Sequence, residues 1–300
     1  GKLGSREVSI RSDLDLILVY DAPPDAVSDG SKPLMASEYF IKLSHRLIAA
    51  ISAPMGDGSL YEIDMRLRPS GSKGPLAVSL EGFARYLTDA AWTWERMAMT
   101  RARAVAGPPA LCAALEAAIR AELTRPRDAD ALLRDVAQMR AMMAKEFATG
   151  SIWDVKHMPG GLVDIEFIAQ YLQLRHGPDD PGLLAQGTIE SLTRLAERGL
   201  LPLRAAAELI DGFRLWQRVQ GFQRMATERG FDPASAPQAL LAAMARAAFP
   251  DRKDIDFAQA ELKIREVAGR VHAWYDRIVA EPAAALPPRP QSQSQESTGP

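Results

Sequence analysis

The stretch Ser12-Asp13-Leu14-Asp15-Leu16-Ile17-Leu18-Val19-Tyr20 decides how the N-terminal part of the chain is read, because acidic and apolar residues alternate before an apolar run. In a strand, residues two apart share a face, so Asp13 and Asp15 project together while Leu14, Leu16, Leu18 and Tyr20 form the opposite face. Two carboxylates side by side are costly unless something positive neutralises them, and a hard divalent cation with oxygen ligands does so. A second stretch, Leu60 to Leu67, repeats the pattern: Glu62, Asp64, Arg66 and Arg68 fall on one face, Tyr61, Ile63, Met65 and Leu67 on the other. Asp64 then completes a three-carboxylate site, and Arg66 and Arg68 face phosphate oxygens. Upstream, Gly4-Ser5 offers a small turn whose backbone N–H groups and hydroxyl can approach a phosphate closely. Magnesium binds through a few carboxylates plus substrate phosphate, which suits three aspartates facing a nucleoside triphosphate. Taken alone, such an alternating strand is more often the solvated edge of a sheet. The order of turn, Asp-x-Asp strand, helix and third aspartate with two arginines raises the joint reading above that.

Between the two strands Met35, Tyr39, Phe40, Leu43, Leu47 and Ile51 recur at helical spacing, and Pro54 with Gly56 ends the helix. From about Leu80 the pattern is alanine-rich and helical, broken at Gly107-Pro108-Pro109, Pro126, Gly150, Pro159-Gly160-Gly161, Pro178, Pro202, Pro233 and Pro250. From Pro282 to Pro300 proline, alanine, glutamine and serine predominate, a composition that predicts a disordered tail. Lysine plus arginine total 36 against 38 acidic residues, so the net charge of -2 gives no reason to expect nucleic acid as a partner. The single cysteine, Cys112, excludes an internal disulfide. No apolar run approaches the roughly 20 residues needed to span a bilayer, and no signal-peptide pattern is present, so the expectation is a soluble cytoplasmic protein without a membrane partner. The chain opens at Gly1 without an initiator methionine and is read as a fragment of a longer protein.

Gly4-Ser5, Asp13-x-Asp15 and Asp64 resemble the signature of the DNA-polymerase-β-type nucleotidyltransferase superfamily. In order, GKLGSRE (1–7), SDLDLILVYD (12–21), SDG (28–30), LYEIDMRLRPSGSKGPL (60–76), AWTWERMAMTRARAVAG (91–107) and WDVKHMPGGLVDIEFIAQYLQLRH (153–176) resemble the bacterial bifunctional glutamine synthetase adenylyltransferase/adenylyl-removing enzymes. The tryptophan-rich block, the LYEIDMRLRPSG wording, the SDG and the terminal tail are similar to the C-terminal, adenylylating half of that family. The resemblance implies an α+β fold: a small mixed-sheet nucleotidyltransferase domain over 1–106, a mostly helical domain over 107–280, and a disordered tail over 281–300. It also implies transfer of AMP from ATP to a tyrosine of glutamine synthetase with release of pyrophosphate, magnesium as cofactor, and the PII signal protein as a partner of the full-length enzyme in nitrogen control. Asp13 and Asp15 would hold the metal, with Asp64 positioning and deprotonating the tyrosine hydroxyl. Gly4, Ser5, Arg66, Arg68 and Lys156 would line the nucleotide cleft. The family usually has a second glycine where Ser5 stands, and the strand that normally precedes its first block is absent. A phosphorolytic adenylyl-removing domain would use the same metal face, and an inactive regulatory or binding module is the reading from another class.

In the helical half, Asp164 and Glu166 lie about 200° apart on a helical wheel, so they cannot serve one ligand together. Acidic residues near a helix start are favoured by the macrodipole, the bland reading for both. Trp92 and Trp94, two apart, cannot both be core, and packing is the default for either alone. His45, His157, His176 and His272 show no metal-ligand spacing.

Overall fold

The computed structural model describes residues 1–54, 56, 61–148, 150–227, 230–252 and 254–288. The acidic–apolar stretch forms two short strands, β1 (Leu14–Asp15) and β2 (Leu18–Tyr20), with Leu16 and Ile17 between them. Each finds a parallel partner: β1 pairs with β3 (Ile63–Asp64), and β2 with β4 (Ala77–Ser79). Both two-stranded sheets are thus parallel rather than mixed, and an isolated antiparallel bridge outside them joins Val27 to Met35. β4 carries too few residues to leave a periodicity signal.

The second acidic stretch departs from its expected course. Leu60 lies outside the described residues, and the strand is confined to Ile63–Asp64. Beyond it the chain turns through Arg66 to Ser70, whose φ of 62° is left-handed. Arg68 drives the turn by donating to the carbonyls of Met65 (2.7 Å), Ser72 (3.1 Å) and Gly74 (3.1 Å). Arg68 is therefore drawn into the turn and away from the strand face on which alternation placed it, whereas Arg66 folds back onto Asp64.

Helix α1 (Ala36–Ile51) covers the predicted segment and packs against β4, with Phe40 stacked on Tyr20 at 4.5 Å between ring centroids. Its outer stripe of Met35, Tyr39, Leu43 and Leu47 stays exposed. The helices that follow are α2 (Leu80–Asp89), α3 (Thr93–Met99), α4 (Pro109–Leu123), α5 (Ala129–Glu146), α6 (Leu162–His176), α7 (Thr188–Glu197), α8 (Leu203–Ala226), α9 (Gln238–Ala248), α10 (Phe257–Tyr275) and α11 (Glu281–Ala284). Their starts follow local chemistry. Ser79 caps α2, Asp128 caps α5, and Asp256 with Gln259 forms a capping box on α10.

α6 is the central element, buried almost all round from Leu162 to Leu174, which is why its apolar residues show no amphipathic stripe. α5, α7, α8 and α10 pack around it. One apolar cluster runs from Phe83 and Met97 to Val271 and Val279, so α2 and α3 share a core with the helices beyond residue 107. The architecture is α+β, with small sheets at the N-terminal end and helices elsewhere. The first part of the tail expected from 281 is structured. Glu281–Ala284 continues as helix against α5, and Ala283 and Leu286 pack on the core. Residues 289–300 lie outside the described residues.

Candidate active site

The parallel β1–β3 ladder sets Asp15 directly opposite Asp64. Leu14 N–H donates to the Glu62 carbonyl (2.8 Å) and Leu16 N–H to that of Asp64 (2.9 Å), so backbone pairing fixes this register. Glu62, one residue before β3, is exposed, as is Asp13 one residue before β1. The carboxylates do not stand alone. Arg66 folds back onto Asp64, its Nε donating to Oδ2 at 2.8 Å and its backbone N–H to Oδ1 at 2.8 Å. Those hydrogen bonds, more than burial opposes them, hold the Asp64 carboxyl below the usual carboxylate range. Asp64 strengthens the positive charge of Arg66 in turn, followed at longer range by Asp13 and Asp15. The structure thus joins Asp64 to the Arg66 guanidinium, with Asp15 opposite Asp64 in the ladder.

A hard cation suits this all-oxygen donor set. With Arg66 seated on Asp64, however, no three His, Cys, Asp or Glu side chains among the described residues are grouped closely enough to hold one ion. The Arg66 side chain that bonds Asp64 is itself 78% exposed. Arg68 is committed to the turn and does not face the carboxylates' open side as a loose cation.

The Gly4-Ser5 turn lies beside this ladder, but its polar groups face inward. Ser5 N–H donates to Gly1 O and Glu7 N–H to Lys2 O. The Ser5 hydroxyl is buried, donating to Glu7 Oε2 (2.9 Å) and accepting from Arg101 (2.9 Å), so it does not present itself to a phosphate. Gly4 is needed for packing: a Cβ there would meet the Arg101 carbonyl oxygen at 2.0 Å. Lys156 is exposed in the turn before α6, and its charge is felt at Lys2. Lys2 itself was not singled out by pattern. Its ammonium donates to Gln220 Oε1 at 2.7 Å and is held down to about 8, first by burial and then by the like charge of Arg224. Arg224, near the end of α8, donates to the hydroxyls of Ser9 and Ser12. No local signal in α8 could have tied it to Asp13, since the approach is purely tertiary.

Two cavities flank the turn. One of about 650 Å³ is lined by Lys2, Glu7, Glu166, Glu190, Phe213 and Gln220. The other, about 410 Å³ and mostly apolar, includes Gly1, Gly4, Asp15, Leu16, Val105 and Cys112. Asp13 and Asp64 line neither; Asp13 is exposed, whereas the Asp64 side chain is only 16% exposed.

The remaining sequence candidates separate. Asp164 is fully buried, accepting from Arg140 Nε and from Gly160 N–H, while Glu166 points the other way to Arg101 at 2.9 Å. Neither is a spare helix-start acid. Trp92 and Trp94 are both exposed, at 71% and 42%, against the core default. Glu95, in the same block, is buried and accepts from Trp92 N–H (2.8 Å) and the Tyr86 hydroxyl (2.7 Å). His157 and His272 are held by Asp154 and Asp164.

Residues 1–118 match the family described as glutamate-ammonia ligase adenylyltransferase, and residues 137–276 match that described as GlnD PII-uridylyltransferase. Proteins described as bifunctional glutamine synthetase adenylyltransferase/adenylyl-removing enzyme are similar over most of the chain. Those of Rhodopseudomonas palustris (strain HaA2) and Mesorhizobium japonicum are 44% and 43% identical over 93% of this chain, and that of Xanthobacter autotrophicus is 42% identical over 90%. In each case the aligned region is 28% of the relative, so the chain spans little more than a quarter of their length. The first 118 residues thus match the glutamate-ammonia ligase adenylyltransferase family, and the similarity to these bifunctional enzymes continues through the helices.

Proposed function

We propose that this chain is the adenylylating half of such an enzyme, moving AMP from ATP to a tyrosine of glutamine synthetase and releasing pyrophosphate. The observation that carries the reading is the β1–β3 register, which sets Asp15 against Asp64, with Arg66 bonded to Asp64. Asp13, Asp15 and Asp64 would hold Mg2+, which supplies Lewis-acid neutralisation of phosphate charge when bound. Asp64 accepts the phenolic proton of the incoming tyrosine, whose unperturbed pKa near 10 makes such help useful at neutral pH. While Arg66 grips it, Asp64 is a poor base. Movement of Arg66 towards phosphate oxygens raises the basicity of Asp64 and places a positive charge where the leaving group develops a negative one. The Gly4-Ser5 turn supports Asp15, with Lys156 and Lys2 on the helical side of the same turn.

The cytoplasm is the expected location, and no helix among the described residues is long and apolar enough to cross a membrane. The match of residues 137–276 to a PII-uridylyltransferase family supports control by the PII signal protein in the longer enzyme, in the service of nitrogen assimilation. Labelled ATP, magnesium and glutamine synthetase test the proposal, with the product mapped to a residue. AMP on a synthetase tyrosine, lost on Asp13→Asn, is the expected result. Release of ADP from adenylylated synthetase plus phosphate, with no forward transfer, would assign the removing reaction instead.

A further inference from the structure

Arg101 follows α3, far in sequence from both the turn and α6, yet it joins them. Its side chain is nine-tenths buried. One terminal nitrogen donates to Ser5 Oγ (2.9 Å) and Glu7 Oε2 (2.6 Å), and the other reaches Glu166 Oε1 on α6 at 2.9 Å. Its Nε–H has no hydrogen-bond partner among the described residues. Glu7 extends the chain of contacts by accepting the N–H of Thr188, at the start of α7, through Oε1 at 2.8 Å. Arg103 adds bonds to the carbonyls of Leu3 and Gly4. At the other end the turn abuts the ladder so closely that a Cβ on Gly1 would lie 1.9 Å from Asp15 Oδ2. Arg6, within the turn, is held at a left-handed φ of 60° that an arginine does not adopt without support.

A buried charged hub with an unsatisfied N–H is a poor way to gain stability, since well-packed apolar residues do as well or better. What it secures is position. Resting on the nucleotidyl-transfer reading above, we infer that Arg101 is a positioning residue for the reaction and that Glu166, from the helical half, sets it. The contact path runs from Glu166 through Arg101 and Ser5 to the Gly1–Glu7 turn and ends on Asp15. The helical half thereby holds the backbone that supports a metal-side carboxylate, and Asp164, on another face of α6, serves its own buried partners.

Arg101→Ala leaves Glu7 and Glu166 uncompensated and risks unfolding, so the test uses Glu166→Ala and Glu166→Gln in the full chain. Amide hydrogen exchange by mass spectrometry reads the turn without reference to activity. Glu166→Ala should speed exchange in residues 1–7 at least about tenfold while α8 and α10 are unchanged. Glu166→Gln, which keeps a hydrogen-bond acceptor, should restore most of the protection. In the transfer assay Glu166→Ala should lower kcat at least about tenfold, because small misplacements of reacting groups are costly. KM for ATP should stay within about threefold. Unchanged exchange in residues 1–7, or a uniform rise throughout the chain, overturns the inference, the latter by reducing the pair to a stabilising contact. So does an unaltered kcat with a loosened turn. If the unsubstituted chain transfers no AMP, the transfer reading falls, and the exchange comparison still decides whether α6 sets the turn.

Discussion

Asp64→Ala separates nucleophile activation from nucleotide binding more sharply than any other single change. Stability should barely move. Asp64 is 16% exposed, but the partner that its removal leaves behind, Arg66, is 78% exposed and returns to solvent, so loss of the pair costs about 0–1 kcal/mol. The β1–β3 ladder is held by backbone bonds that the substitution leaves intact. Loss of a group that takes the nucleophile's proton costs about 10²–10⁴ in rate. That corresponds to about 3–5 kcal/mol of barrier. ATP affinity should change by no more than about threefold, since Asp13 and Asp15 remain and an interaction specific to the transition state lowers kcat rather than binding. The assay is AMP transfer to glutamine synthetase with kcat and KM resolved, beside equilibrium ATP binding and thermal unfolding. Glu62→Ala is the control, because Glu62 is exposed and contributes only its carbonyl to the ladder. Arg66→Ala supplies the pH arm: it lets the Asp64 carboxyl rise towards its usual range, so the acidic limb of the rate profile should move to higher pH. Normal transfer by Asp64→Ala with an inactive Glu62→Ala would refute the assignment.

Asp164→Ala should destabilise the chain by about 3–5 kcal/mol, because it leaves Arg140 buried and unpaired. At roughly 2–4 °C per kcal/mol the melting temperature should fall by on the order of 10 °C, and a loss under about 1 kcal/mol in denaturant titration would contradict this. Hydrogen bonding to Asp164 raises the folded pKa of His272 above its ordinary 6.5, against burial and the charge of Arg140, with Asp276 assisting and the Tyr275 ring stacked alongside. Its contribution is therefore complete below about 6.5 and lost as pH rises through the folded value, so the stability deficit of His272→Gln should shrink as pH rises. A deficit that grew with pH would have the wrong sign. Ending the chain after Ala280 removes Ala283, Leu286 and the acceptor of the Arg134 bond at Pro287, and should cost roughly 1–3 kcal/mol. Ending it after Pro288 should leave the melting temperature unchanged, and equal effects of the two truncations would refute packing by α11.

The sequence alone determined the elements whose cause is local. Asp13-x-Asp15 on an alternating stretch, the α1 periodicity and the proline and glycine breaks between helices are legible because strand alternation, helical spacing and fixed φ act within a few residues. Tertiary structure decided the rest. Alternation carried Arg66 and Arg68 onto the Asp64 face, but carbonyls brought near by the turn recruited Arg68, and Asp64 itself drew Arg66 back. Ser5 reads as an open phosphate turn until Arg101, 96 residues away, closes over its hydroxyl. Packing was the default for either Trp92 or Trp94 alone, yet both are exposed and Glu95 is buried, where it accepts from Trp92 N–H and the Tyr86 hydroxyl. Asp164 and Glu166 separate into two tasks only once Arg140 and Arg101 arrive from other elements. In each case a charged or hydrogen-bonding side chain chose its partner by distance in space, and a sequence pattern records distance along the chain.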